Sequence, residues 1–178
     1  MPEERQLMSQ DDMHRVIRRM SHEIVERNRG ADGLMLVGLQ RRGVPIAQRI
    51  AAAIGEFESV NVSVGALDIN LYRDDLVGRA RQPVLGTTDI PFDVTDRNIV
   101  LVDDVLFTGR TIRAAMDSVM DLGRPARIQL AILVDRGHRE LPIAADYVGR
   151  ERVTTESQMV KVRLQEEGYP ADAVIITS

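Results

Sequence analysis

Two adjacent acids followed by a short turn bearing hydroxyls and a glycine are the residues of this chain best suited to chemistry. They lie in the run Ile99-Val100-Leu101-Val102-Asp103-Asp104-Val105-Leu106-Phe107-Thr108-Gly109-Arg110-Thr111. The apolar residues predict a buried strand, Asp103 and Asp104 stand at its tip, and the turn opens a helix. The first backbone N–H groups of a helix have no partner within it, so they favour an anion. Gly109 allows close approach to the backbone, and the hydroxyls of Thr108 and Thr111 can donate to phosphate oxygens. Paired carboxylates accept hydrogen bonds from neighbouring sugar hydroxyls. The run as a whole therefore suits a sugar phosphate better than a bare anion. A solvated strand end with an ordinary capped turn is the plainer alternative, and it would suffice for an isolated Thr-x-x-Thr.

Two other polar clusters fall at predicted strand ends, Arg41-Arg42-Gly43 and residues 135–140. Lys161 is the only lysine among 23 basic residues, so 22 are arginine, the side chain best shaped to hold phosphate bidentately. A bias in genomic base composition is the preferred explanation of that excess, and Arg41-Arg42 alone reads equally well as a solvated turn.

The elements that must position these clusters follow from periodicity. Residues 13–29 predict a helix with Met13, Val16, Ile17, Met20 and Ile24 on one stripe, Ser9 as its cap and Gly30 at its end. A strand at 34–38, a polar turn at 39–43 and a helix with Pro45 in its first turn come next. Residues 60–71 alternate as a strand whose phase slips at Gly65, which predicts a bulge there. Residues 72–92 are polar, with two glycines and two prolines, and predict a long loop of the kind that serves as a lid. A strand at 98–102 leads to a helix at about 110–122, with Ile112, Ala115, Met116, Val119 and Met120 on one face. A buried strand at 128–134 follows, then strand-like pieces at 147–148, 159–164 and 173–176. Strands alternating with helices imply a parallel sheet covered on both faces, with its ligand site at the carboxyl ends of the strands.

Composition excludes several classes. The chain has 178 residues, 44% of them hydrophobic, which suits a single domain over 1–178. It has no cysteine, so disulfides, thiolate catalysis and Cys-ligated zinc are excluded. His14, His22 and His138 are too scattered for a zinc site, and no protein metal site is expected. The formal charge of −4 gives no bulk attraction to nucleic acid, and six Phe and Tyr without Trp make a poor base-stacking platform. No apolar run reaches the length of a membrane span, and Met1-Pro2-Glu3-Glu4 opens no signal region. A soluble cytoplasmic protein without a membrane partner is the expectation.

The run 103–111 resembles the phosphoribosyl pyrophosphate (PRPP) signature of type I phosphoribosyltransferases. Two more segments sharpen the likeness: Val134-Asp135-Arg136-Gly137-His138-Arg139-Glu140-Leu141-Pro142 and Leu67-Asp68-Ile69-Asn70-Leu71-Tyr72-Arg73-Asp74-Asp75-Leu76. Together they resemble the family of bifunctional pyrimidine-operon attenuation proteins and uracil phosphoribosyltransferases, over about residues 13–147. The resemblance implies an α/β fold of the type I phosphoribosyltransferase kind: a parallel-sheet core flanked by helices, a flexible lid loop, and a small hood. The hood is expected from about 135–178 and the N-terminal helix region. It also implies transfer of ribose 5-phosphate from PRPP to uracil, giving UMP and pyrophosphate, with Mg²⁺ bound mainly through PRPP.

By the same resemblance Asp103 and Asp104 hold the ribose and steady a positively charged sugar at the transition state. Val105, Leu106, Phe107, Thr108, Gly109, Arg110 and Thr111 hold the 5-phosphate, and Arg41, Arg42 and Gly43 occupy the pyrophosphate loop. Tyr72 and Arg73 start the lid, and Arg136 and Val160 form the wall that receives the base. The family also binds leader mRNA of pyrimidine genes in response to uridine nucleotides, and it forms homodimers or higher homo-oligomers. Arg19, His22, Arg27, His138 and Arg150 match positions expected to contact RNA. A helical wheel agrees in part: Arg15, Arg18, Arg19, His22 and Arg29 share an arc opposite the apolar stripe, interrupted by Glu26, as a merely solvated helix would also show.

The chain departs from the family at several places. Ala144 replaces an arginine, which removes one expected cationic contact. Arg18 and Arg41 stand where threonine is usual, residues 150–155 lack the common Lys-Asn-Ile-Pro-Thr-Ser pattern, and Phe107 replaces a tyrosine. The alternatives are a phosphoribosyltransferase for another base without RNA regulation, and an RNA regulator whose catalysis is incidental. The apolar stripe of the first helix and the residues after Leu67 are candidates for a subunit interface or for plain core packing.

Overall fold

The computed structural model describes residues 3–69 and 88–178. A first strand, β1 (Glu4–Met8), leads into α1 (Gln10–Arg27), followed by β2 (Leu34–Leu39), α2 (Gly43–Glu58) and β3 (Ser63–Leu67). Then come β4 (Asn98–Leu106), α3 (Arg110–Asp121), β5 (Arg127–Asp135), β6 (Tyr147–Glu151), β7 (Met159–Arg163), a 3₁₀ turn (Gln165–Glu167) and β8 (Ala173–Thr177). Strands β3-β2-β4-β5-β6 form one all-parallel sheet, and β1-β8-β7 form a smaller antiparallel one.

Alternation along the strands builds two cores, one on each face of the large sheet. Val100 and Val102 face the layer of α1 and α2, where Met13, Met20, Ile24, Ile46 and Ile50 are buried with them. Ile99 and Leu101 face the other layer with Ile112, Ala115 and Val119 of α3. A fully buried side chain of this size stabilises the fold by about 1.5–3 kcal/mol. The apolar stripe of α1 is therefore used inside the chain, which removes it as a subunit interface.

Local chemistry sets the element ends. Ser9 caps α1 through a reciprocal box: its hydroxyl accepts from the Asp12 amide at 3.2 Å while its own amide donates to Asp12 Oδ2 at 2.9 Å. Those bonds hold the Asp12 carboxyl below the ordinary aspartate range. Gly149 of β6 lets α1 lie close, since a Cβ there would sit 2.4 Å from the Leu133 carbonyl and 2.7 Å from Val16.

Four expectations need correction. Of the strand predicted at 60–71, the described residues 60–69 form only β3, and its register with β2 runs without a bulge at Gly65; residues 70 and 71 lie outside the described residues. That glycine instead admits the crossing of Asp89 and Ile90, where Ala66 and Asp89 exchange hydrogen bonds of 2.7 and 2.8 Å. The end of the predicted lid is thus anchored, because Ile90 and Phe92 pack on the core. On α3, Met120 is exposed, since the sheet side of that helix is filled by Ile112, Ala115 and Val119. Strand β1 was not foreseen, and β6, within the stretch expected as hood, completes the large sheet.

Candidate active site

Central strand β4 carries both acids at its carboxyl end. Asp103 is 6% exposed and its Oδ1 accepts from the Asp104 amide at 2.9 Å. The Asp104 side chain is 18% exposed, and its Oδ1 accepts from the Val105 amide at 2.8 Å. Asp104 thus keeps Oδ2 toward the neighbouring loop, where Arg42 Nη1 lies 3.8 Å away.

The turn after β4 wraps the start of α3. Gly109 is the N-cap at φ 93°, a left-handed conformation that favours glycine, and the Thr108 hydroxyl accepts from the Arg110 amide at 3.3 Å. Residues 105–112 line a cavity of ≈ 670 Å³ together with Arg136, Glu140, Glu156, Gln158 and Met159. An anion-favouring helix end therefore opens into a hollow of ligand size.

Residues of the second polar cluster, 135–143, back this turn. Arg139 donates to the Phe107 carbonyl at 2.6 Å, to the Ile143 carbonyl at 2.8 Å and to Asp135 Oδ2 at 2.7 Å. The amides of Glu140 and Leu141 both donate to the Thr108 carbonyl, at 2.9 and 3.2 Å. Arg110 pairs with Glu140 across the surface at 2.9 Å.

The loop of Arg41, Arg42 and Gly43 meets the β4 tip because glycines remove the obstacle. A Cβ on Gly43 would lie 2.2 Å from the Val102 carbonyl, and one on Gly38 would lie 2.5 Å from Val44 Cα. The Gln40–Arg41 peptide is cis. Arg42 donates through Nε to Glu167 Oε2 at 2.9 Å, so the 3₁₀ turn holds the guanidinium beside Asp104. Arg41 is exposed, and no described residue pairs with its guanidinium. These residues border a second hollow of ≈ 630 Å³, with Gln48, Glu166 and Tyr169 on its rim.

Arg49 of α2 anchors the same 3₁₀ turn through Glu166 and the nearly buried Asp172. Bonds from Arg49 hold the Glu166 carboxyl below its ordinary range. At Asp172 burial works against the charge, but hydrogen bonds from Arg49 and the Gln165 amide outweigh it and lower the carboxyl. The Arg49 guanidinium is correspondingly raised, chiefly by Asp172.

Arg136 is buried and has no carboxylate partner among the described residues. Its Nε donates to Thr154 Oγ1 at 3.0 Å, and its Nη2 donates to the carbonyls of Thr155 and Gln158 at 3.1 and 2.8 Å. Its guanidinium lies 4.0 Å from the Phe107 ring centre, and burial lowers its pKa from the ordinary arginine value. Val160, in β7, packs against the core shared by α1 and α2, whereas Gln158 and Met159 line the cavity. Tyr72 and Arg73 lie outside the described residues.

The residues expected to contact RNA are spread along α1 and β6 and engage partners within the chain. Arg19 donates to the carbonyls of Val148 and Gly149 at 3.1 and 2.6 Å, and Arg27 pairs with Asp146 at 3.1 Å. His22 stacks on Phe57 with ring centres 4.0 Å apart, and Arg150 donates to the Leu7 carbonyl at 2.7 Å. His138 lies apart from these, against Thr154, whose carbonyl is 2.6 Å from Nε2.

This geometry is matched by known proteins. Residues 5–167 match the phosphoribosyl transferase domain family. Proteins named Bifunctional protein PyrR are 57% identical over 173 residues in Roseiflexus sp. (strain RS-1), covering 97% of this chain and 94% of theirs. The one from Chloroflexus aurantiacus is 56% identical over 176 residues, covering 99% and 97%. In Thermus thermophilus the figures are 58% over 161 residues, covering 90% and 89%. The chain belongs to the phosphoribosyl transferase family.

Within that family it groups with the bifunctional PyrR proteins, as the motif at 134–142 led us to expect. A hypoxanthine phosphoribosyltransferase of Trypanosoma cruzi superposes with a TM-score of 0.77 at 17% identity, covering 99% of this chain and 96% of that one. One from Staphylococcus aureus gives 0.64 at 16%, covering 87% and 81%. These two establish the type I phosphoribosyltransferase fold.

For this phosphoribosyltransferase, sequence reasoning missed Arg139 and Glu167. Arg139 sat inside a quoted motif, but nothing local showed that its carbonyl partner lies 32 residues away. Glu167 had no sequence signal at all.

Proposed function

We propose that the chain transfers ribose 5-phosphate from PRPP to uracil, releasing pyrophosphate and forming UMP, and that it also binds leader mRNA in response to uridine nucleotides. One observation carries the enzymatic reading: the acid pair at the tip of the central parallel strand adjoins the N-terminal end of a helix in a cavity of ≈ 670 Å³. The amides of residues 108–111 take the 5-phosphate, and Asp103 and Asp104 hold the ribose hydroxyls. As the bond to pyrophosphate breaks, the sugar gains positive character, and these carboxylates stabilise it without forming a covalent bond. Arg41 and Arg42 neutralise the departing pyrophosphate, and Arg136 with residues 154–158 receives the base.

Phosphoribosyltransferases of this fold generally use magnesium with PRPP. Among the described residues no group of three or more His, Cys, Asp or Glu is placed to hold a metal. The oxygen donors Asp103 and Asp104 fit a hard cation whose other ligands come from the diphosphate and water. Bound there, the ion supplies charge neutralisation of the leaving group.

The RNA reading rests on the PyrR relatives and on the arginines of α1. Arg27, exposed, paired with the partly exposed Asp146 and 5.7 Å from the Tyr147 ring centre, is a cation that can exchange onto a phosphate. No described helix is long and apolar enough to cross a membrane. From the likeness to the PyrR relatives we place the protein in the cytoplasm as a homo-oligomer.

The test is UMP formation from uracil, PRPP and Mg²⁺, with hypoxanthine and orotate as competitors. Asp104→Asn is expected to lower kcat on the order of 10²-fold. A preference for another base, or no product, overturns the assignment. For the second activity, the leader transcript should bind more tightly with UMP, less tightly with salt, and less tightly in Arg27→Ala with catalysis kept. No binding at low salt would end that reading.

A further inference from the structure

We propose that Arg139 is a positioning residue: it aims the amides of the turn between β4 and α3 at the 5-phosphate. The inference rests on the reading of residues 105–111 as the phosphate site and adds the device that keeps that site open. Each of the three guanidinium nitrogens of Arg139 has its own acceptor, namely the Ile143 carbonyl at 2.8 Å, the Phe107 carbonyl at 2.6 Å and Asp135 Oδ2 at 2.7 Å.

The consequence follows from the planarity of the peptide unit. In a trans peptide the C=O and the next N–H point in opposite directions. Drawing the Phe107 carbonyl onto Arg139 therefore turns the Thr108 N–H away from the 135–143 segment. The Thr108 carbonyl is drawn the same way by the amides of Glu140 and Leu141, at 2.9 and 3.2 Å, so the Gly109 N–H is turned away too. No described residue accepts a hydrogen bond from either amide. Two successive unpaired donors beside a helix N-terminus form an anion-binding concavity. Gly109 completes the arrangement, because its φ of 93° favours glycine and a Cβ there would press on Ile143 Cβ at 3.3 Å.

Without Arg139 the Phe107–Thr108 peptide loses its only described side-chain brace, and the Thr108 amide is free to rotate off the ligand. Phosphate recognition weakens while base recognition stays. A lysine keeps the charge but presents one ammonium to acceptors that come from three separate stretches, so it cannot restore the brace.

The experiment compares equilibrium binding of UMP and of uridine, which lacks the phosphate, to the full-length protein. The native chain is expected to bind UMP at least about tenfold more tightly than uridine, the value of one charge-assisted hydrogen bond or more. In both Arg139→Gln and Arg139→Lys the UMP affinity should fall about tenfold, uridine should be unchanged, and the PRPP KM should rise more than kcat falls. Unchanged UMP affinity in Arg139→Gln, full rescue by Arg139→Lys, or a parallel loss for uridine overturns the proposal.

If the variants do not fold, amide proton shifts of Thr108 and Gly109 in the native protein decide the matter. They should move with UMP and not with uridine, and their staying still with UMP refutes the role. A native protein that binds UMP and uridine alike would instead refute the phosphate reading of residues 105–111.

Discussion

The two loops that flank the acid pair are built by opposite means. The turn at 105–111 is held from behind by backbone acceptors: carbonyls of Phe107 and Thr108 are tied to Arg139 and to two amides of the next loop. The loop at 41–43 is held by close contact at Gly43 and by ion pairs, with Arg42 bridging Glu167 and Asp104. Bonds to main-chain groups survive the arrival of an anion, because the amides they aim are not used in making them. An arginine held by carboxylates must share or exchange those partners when an anion arrives. In the proposed function, the difference makes one loop a preformed receptor and the other a set of exchangeable charges.

The largest expected effect comes from the contact that seats the second loop. Gly43→Ala places a Cβ where the Val102 carbonyl stands, so the loop must move off β4. Stability should fall by about 1–3 kcal/mol in urea unfolding, with a higher PRPP KM. Native values for both would show that the close approach is not required.

Next in size is Arg49→Met, which loosens the 3₁₀ turn that carries Glu167. We expect a loss of order 1–2 kcal/mol, discounted for the exposure of Glu166. PRPP should bind more weakly while UMP, which lacks the pyrophosphate, is unaffected. An equal loss for both ligands would erase the distinction between the loops. The variant also has a pH signature. Glu166 and Asp172 have folded-state values below their unfolded ones, so they add stability that is present above about pH 4. That increment is lost as pH falls through the lowered values. Melting temperature between pH 7 and 3 should therefore drop less steeply in Arg49→Met than in the native chain.

Phe107→Leu removes the ring under the Arg136 guanidinium and should cost about 0.5–2 kcal/mol in stability, read by thermal unfolding. Because the Phe107 carbonyl stays on Arg139, UMP should still outbind uridine. Loss of that preference would mean that the ring, not the main chain, organises the turn.

The smallest effect is expected at Glu167. Glu167→Gln retains an acceptor for Arg42 Nε and removes a negative charge from the exchangeable side, so the PRPP KM should change by less than about threefold. A tenfold fall would show that the carboxylate competes with pyrophosphate for Arg42.

Much of the scaffold was legible from periodicity. The stripe of α1, the apolar run of β4 and the alternation of strands with helices each reflect burial of one repeating face, which a linear pattern records. Ser9 was legible because its use as a cap is local, and Gly109 because it stands in a turn that opens a helix; the close approach of Gly43 to Val102, on a distant strand, was not. Gly65 misled for the same reason. Its phase slip looked like a bulge, but the space it provides is for a chain segment more than 20 residues downstream, at Asp89. β1 was invisible because an edge strand with an exposed polar face, Glu-Arg-Gln, has no pattern until β8 pairs with it. The arginines expected to contact RNA lie opposite the apolar stripe on a helical wheel, yet Arg19 closes α1 onto β6, a contact across 130 residues.

By itself the order of residues determined which groups could meet an anion and which faces had to be buried, since helix ends, turns and amphipathic stripes depend on neighbours a few positions away. Only the tertiary structure decided which of those groups are aimed and which are spent. The partners of Arg139, Arg42 and Arg19 come from distant stretches, and a hydrogen bond exists only when its two ends are brought within about 3 Å.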